Sequence, residues 1–164
     1  VRETGQWILQ QSSQFSSSDI IYKGTNDLVS FVDQQAEAKL KEGLAQIFPE
    51  AKFIAEETSS NYEEVGDGYY WVIDPLDGTT NFLHKLPVFA VSVGIIYQKQ
   101  PILGLIFEPN RDELFTAAKG QGAHLNAKPI QVSPEKSLSK SLLATGFPYY
   151  DFSYQDQYLA LLNI

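Results

Sequence analysis

The chain contains no cysteine and no methionine among its 164 residues. Without cysteine there can be no disulfide framework, no thiolate metal site and no cysteine nucleophile. Basic residues are scarce, 12 Lys and Arg against 20 Asp and Glu, for a net charge of −8 and a pI near 4.7. That balance argues against a nucleic-acid backbone or an anionic membrane surface as partner. Long apolar runs are also lacking. The stretch over residues 102–107 is far too short to span a bilayer, and no basic-then-apolar signal segment opens the chain. A cytoplasmic protein without membrane contact is the expectation. Ser12, Ser13 and the serines at 16–18 come with no Gly-x-Ser-x-Gly elbow and no paired histidine, which excludes the serine-hydrolase class.

What remains is one domain's worth of chain with an ordinary composition, 43% hydrophobic and 20% charged, so wholesale disorder is excluded. Trp7, Ile8 and Phe15 predict a modest helix over residues 1–15. Leu28, Val29, Val32, Ala36, Leu40, Leu44 and Ile47 recur at three- and four-residue spacing and predict a long helix over 27–48, closed by Pro49. Strands are predicted at 52–55, 69–73, 89–97, 102–107, 113–117, 123–125 and 129–132, each bounded by Gly, Asn or Pro turns such as Gly120-Gln121-Gly122. Helices first and strands later is the order of an α+β layer fold with a mostly antiparallel sheet. The Ser/Lys/Pro stretch over 133–140 reads as a linker, and 141–145 as the first strand of a following unit. The chain begins at Val1 and runs out in an apolar helical pattern around Tyr158 to Leu162, so a piece of a longer protein is expected.

The chemistry concentrates in Asp74-Pro75-Leu76-Asp77-Gly78-Thr79-Thr80-Asn81-Phe82. An apolar strand delivers Asp74 to its end, Pro75 forbids a simple continuation, and Asp77-Gly78-Thr79-Thr80 has the form of a tight turn into a helix start. Two carboxylates on one short turn suit a hard divalent cation, and a helix start offers N–H groups to an anion. Asp-Pro and Asp-Gly are also plain turn formers. A second acidic cluster, Glu56-Glu57, ends the strand Phe53-Ile54, so two strands ending in carboxylates can converge. Asp33 reads as part of a solvated helix face, with a metal-linked role as the alternative. His84 follows the motif in a polar loop, and His124 sits in a strand without a partner.

This stretch, with His84 after it, resembles the signature of the inositol monophosphatase family of magnesium-dependent, lithium-sensitive phosphatases. Asp27-Leu28-Val29-Ser30 with Asp33, Phe53-Ile54-Ala55-Glu56-Glu57, Phe89-Ala90-Val91-Ser92-Val93-Gly94 and Gly120-Gln121-Gly122-Ala123 resemble family segments in the same order. The resemblance implies a layered α–β sandwich of the inositol monophosphatase/fructose-1,6-bisphosphatase type. Long N-terminal helices would pack on the sheet, and a second α/β domain would be truncated. Residues 1–136 would form the metal- and phosphate-binding domain, with 137–164 beginning a C-terminal domain. It implies two or three Mg²⁺: Glu56, Asp74 and the Leu76 carbonyl at the first ion, Asp74 and Asp77 at the second, and Asp33 at a weaker third. Thr79, with Glu56, would orient and help deprotonate the attacking water, while Asp77, Gly78, Thr79 and Thr80 would receive the phosphate. A homodimer acting on a small phosphate monoester is implied as well.

Ala55 replaces the glycine that the family commonly carries before its paired glutamates. The family's later W-D-x-A-A segment, whose aspartate completes the second metal site, does not occur in these residues. The resemblance implies myo-inositol 1-phosphate as substrate. Histidinol phosphate, fructose 1,6-bisphosphate and 3′-phosphoadenosine 5′-phosphate are the alternatives within the superfamily, and a non-catalytic metal-binding fragment is the alternative outside it. The Thr80-Asn81-Phe82 ending resembles the inositol and histidinol branches more than the nucleotide branch.

Overall fold

The computed structural model describes residues 1–14, 20–24, 27–58, 66–146 and 151–162. Two helices, α1 (Arg2–Ser12) and α2 (Phe31–Ile47), flank a hairpin of β1 (Ile20–Gly24) and β2 (Asp27–Ser30). Seven strands follow: β3 (Lys52–Ala55), β4 (Tyr69–Asp77), β5 (Ala90–Tyr97), β6 (Gln100–Glu108), β7 (Glu113–Ala118), β8 (Gly122–Leu125) and β9 (Lys128–Ile130). They form one sheet in sequence order, parallel between β3 and β4 and antiparallel elsewhere. The short α3 (Thr79–Leu83) sits between β4 and β5, and α4 (Gln155–Leu162) closes the described chain. This is the expected α+β arrangement.

The helices cover one face of the sheet. Ile8 of α1 and Val32, Ala36, Leu40 and Leu44 of α2 form one buried cluster with Trp71 and Ile73 of β4 and Val91 and Val93 of β5. The recurrence of apolar residues in α2 at three- and four-residue spacing is what turns that stripe to the sheet. On the opposite face, Val72, Ser92, Gly94 and Ile106 line an open cavity of about 780 Å³, and no helix among the described residues lies over it.

Three sequence expectations change. Residues 27–30 do not begin the long helix; they pair antiparallel with β1, Ile21 opposite Val29 and Tyr22 opposite Leu28. A short stretch takes the conformation for which it has a pairing partner, which local periodicity cannot report. Pro75 does not end its strand either. β4 continues to Asp77, with Asp74 opposite Ser92 and Asp77 opposite Ala90, so one extra residue is accommodated as a bulge. The bulge is where a proline can sit in a strand, and it resets the alternation so that Leu76 enters the core. Finally, residues 141–145 form no strand; they are exposed, and no ladder pairs with them among the described residues. The expectation for Phe15 and the serines at 16–18 lies outside the described residues.

Candidate functional site

Parallel pairing decides which carboxylates meet. Ala55 lies opposite Ile73, so the next residue on each strand, Glu56 and Asp74, emerges at the same edge of the sheet. The Glu56 N–H donates to the Ile73 carbonyl at 3.2 Å and carries the ladder one step past β3. In an antiparallel pair the two strand ends would have pointed to opposite edges.

Asp74 is half-buried, and its carboxyl is pushed up to about 7. Burial is the largest cause, followed by the charges of Glu56 and Asp77 and a hydrogen bond with the Glu56 side chain; the Leu76 N–H, donating to Asp74 Oδ1 at 3.1 Å, opposes them. Crowded carboxylates in a partly dry place resist ionising together. Among the described residues, no three Asp, Glu or His side chains form a ready cage for an ion. Glu56 and Asp74 are joined directly, whereas Asp77, on the exposed side of the bulge, acts on Asp74 through its charge. The donor set still fits a hard divalent cation in kind. It is all oxygen, and its mutual repulsion is what a cation would relieve.

The turn after β4 is built by Gly78, whose φ is +96°. A Cβ there would lie 3.0 Å from the Val88 carbonyl oxygen and 3.3 Å from the Phe89 Cα, so neither the conformation nor the space suits a larger residue. The first intrahelical bond of α3 runs from the Phe82 N–H to the Gly78 carbonyl at 3.0 Å, leaving the preceding N–H groups without an intrahelical acceptor. Thr79 is half-buried and Thr80 exposed at this start. The Asn81 side chain holds the following loop by donating to the Val88 carbonyl at 2.7 Å. His84 is exposed at the end of α3, and its backbone N–H donates to Thr80.

Asp33 is not on a solvated face. It is 1% exposed, and the Thr79 hydroxyl faces its Oδ1 at 3.1 Å and the Leu76 carbonyl at 3.0 Å. A hydroxyl has one proton, so it serves one acceptor at a time, and both acceptors lie on the protein side. The Thr79 oxygen is left with lone pairs for a further donor.

One buried carboxylate escaped the sequence reading. Glu37 on α2 is 1% exposed and accepts from Lys41 Nζ at 2.8 Å, Thr58 Oγ1 at 2.6 Å and the Glu57 N–H at 2.8 Å. Burial alone would push its carboxyl up, but the bonds from Lys41, Thr58 and Glu57 outweigh it and hold the group below the usual carboxylate range. The signal was present in the sequence. Asp33, Glu37 and Lys41 follow Val32, Ala36 and Leu40 one by one, a polar stripe along the border of the apolar one.

Comparison with known proteins agrees with this architecture. The model of the inositol monophosphatase family matches residues 1–158. Inositol monophosphatase 2 of Solanum lycopersicum is 47% identical over 135 residues, which cover 80% of this chain and 51% of the relative. Nus factor SuhB of Escherichia coli (strain K12) is 37% identical over 162 residues, 99% of this chain and 60% of the relative. Among solved structures, the extragenic suppressor protein SuhB of Bartonella henselae superposes with a TM-score of 0.89 at 34% identity, covering 98% of this chain and 61% of that one. The chain thus spans roughly half to three fifths of these relatives. The ordered match of the motifs, the bulged aspartate turn and the sheet topology have one common explanation: the chain belongs to the inositol monophosphatase family.

Proposed function

We propose that the protein to which this chain belongs is a Mg²⁺-dependent phosphatase acting on a small phosphate monoester, with myo-inositol 1-phosphate as its substrate. The observation that carries the reading is the meeting of Glu56 and Asp74 at one sheet edge, with Asp77 bearing on the pair and Thr79 tied to buried Asp33. Glu56, Asp74, Asp77 and the Leu76 carbonyl would hold Mg²⁺, two or three ions counting the place near Asp33. Bound there, the ions supply charge neutralisation for the phosphate and a lowered pKa for the attacking water.

The chain's own residues do the rest. Thr79 Oγ1, its proton engaged by Asp33 or the Leu76 carbonyl, accepts a hydrogen bond from the attacking water and fixes its direction. Asp33 is the acceptor that keeps the hydroxyl turned that way, and Glu56 takes up the water's proton. Gly78 lets the backbone approach the phosphate, which the N–H groups at the start of α3 and the Thr80 hydroxyl would receive. None of these roles reads the alcohol half of the substrate. Histidinol phosphate, fructose 1,6-bisphosphate and 3′-phosphoadenosine 5′-phosphate are therefore assayed alongside.

The test uses the full-length protein. Phosphate release from myo-inositol 1-phosphate should require Mg²⁺, fall on addition of lithium and collapse in Asp77→Asn. Release that persists in chelator would sink the metal mechanism. Tight Mg²⁺ binding without turnover on any of the four esters would favour the non-catalytic alternative.

A further inference from the structure

Glu56 carries the reading above, yet its side chain is exposed and it stands just past the end of an edge strand. Such a residue wanders unless its turn is held from two sides. One hold is the sheet itself, through the Glu56 N–H to the Ile73 carbonyl. The other is Glu37, whose Oε2 accepts the Glu57 N–H at 2.8 Å and whose Oε1 accepts the Thr58 hydroxyl at 2.6 Å. The two residues immediately after Glu56 are thereby fastened to α2. Lys41, one turn further along the helix, supplies the counter-charge at 2.8 Å, so the buried carboxylate stays ionised and acts as acceptor to all three donors.

The spacing explains why one helix can do this. Asp33 and Glu37 are four residues apart, about 6 Å along the axis at about 1.5 Å per residue. Neighbouring strands lie about 4.8 Å apart. Consecutive turns of α2 therefore reach the ends of two adjacent strands, Asp33 meeting Thr79 after β4 and Glu37 meeting Glu57 and Thr58 after β3. Helix α2 works as a rule laid across the sheet edge.

We propose that Glu37 is a positioning residue, fastening the turn over residues 56–58 to α2 so that the Glu56 carboxylate is held beside Asp74, and thereby setting the Mg²⁺ affinity of that edge. The proposal rests on the reading that Glu56 and Asp74 hold the ion. Glutamine cannot replace Glu37 even though it has nearly the same shape. With its oxygen toward Glu57 it turns an NH₂ on the Lys41 ammonium, and with its oxygen toward Lys41 it turns an NH₂ on the Glu57 N–H.

The experiment is calorimetric titration of MgCl₂ alone into the metal-free full-length protein and its variants, with thermal midpoints recorded alongside. Outer partners that orient ligands typically shift metal affinity by about 10- to 100-fold, and Glu37→Gln should weaken Mg²⁺ binding within that span. Thr58→Val, which removes the hydroxyl's bonds to Glu37 and Lys41 but leaves the Glu57 N–H on Glu37, should weaken it a few-fold, and Thr58→Ser, which keeps the hydroxyl, should restore it. Should Glu37→Gln fail to fold, the Thr58 pair carries the same comparison. In the full-length protein, the rate lost in Thr58→Val should return at saturating Mg²⁺ with substrate KM unchanged. Glu37→Gln and Thr58→Val that bind Mg²⁺ as tightly as the parent while only their midpoints fall would overturn the proposal and leave the phosphatase reading standing, provided Asp74→Asn abolishes binding. A full-length parent that binds no Mg²⁺, or Asp74→Asn that binds it normally, would overturn both.

Discussion

Thr79 shows what a single hydroxyl gains from its neighbours. Two acceptors, Asp33 Oδ1 and the Leu76 carbonyl, compete for its one proton, so its oxygen is oriented without help from substrate. In the full-length protein, Thr79→Val and Asp33→Ala should each lower phosphate release by about 10²-fold at saturating Mg²⁺, the order for misplacing a reacting group by about 1 Å, while Thr79→Ser should keep most of the rate. Glu37 makes a different prediction, in the acid range. Its carboxyl is held below the usual value of about 4.5, so its contribution to stability is whole above that value and drains away as pH falls through the lower folded one. The difference in thermal midpoint between the parent and Glu37→Gln should therefore be constant near neutrality and narrow below about pH 4.5. A gap that widens on acidification would contradict the hydrogen-bond account.

At the scale of elements, two helical glycines should respond oppositely to the same substitution. Gly5 of α1 lies against Phe107 of β6, and a Cβ there would come within 2.4 Å of the ring. Phe107 is fully buried and has nowhere to move, so the overpacking of Gly5→Ala, about 1–3 kcal/mol, should exceed the roughly 1 kcal/mol gained in helix propensity. At Gly43 of α2 an added Cβ would meet nothing within 4 Å, so Gly43→Ala should keep the propensity gain and raise stability by up to about 1 kcal/mol. Chemical denaturation of the two variants beside the parent checks both signs. The same contrast runs through the fold. Where an element is amphipathic over its whole length, as α2 is from Phe31 on, its periodicity predicts it. Where a stretch is short, as over residues 27–30, pairing across a hairpin decides.

At the scale of the whole molecule, the crowded carboxylate edge opposes the fold that assembles it, because the half-buried Asp74 must share its surroundings with two further negative groups. A cation binding there favours the folded over the unfolded chain. MgCl₂ at 100 times its Kd should add about 2.7 kcal/mol of apparent stability, read as a rise in thermal midpoint, and Asp74→Asn should remove that rise. The sheet face that no helix among the described residues covers, with Val72 and Ile106 exposed beside the cavity, stands in contrast to the helical side, where Ile8 and Ala36 are fully buried.

Much of this protein was written in residue order. The apolar stripe of α2, the run of strands from Lys52 to Ile130, and the Asp74-to-Phe82 string with its acidic turn all depend on near neighbours, and near neighbours are what a sequence displays. From the residues themselves, the meeting of Glu56 with Asp74 is legible as no more than two strand ends that can converge; the family resemblance is what puts the two at one ion. Its cause, the parallel register of Ala55 with Ile73, is a choice of partner and direction that no local pattern encodes. The bulge that carries β4 through Pro75 belongs to the pairing with β5. Likewise, whether Asp33 and Glu37 face water or the sheet edge depends on how α2 is rotated against that edge. A carboxylate on the border of an apolar stripe reads as solvated until tertiary packing brings Thr79, Glu57 and Thr58 against it, because burial and hydrogen-bond partners are properties of what lies opposite a residue in space.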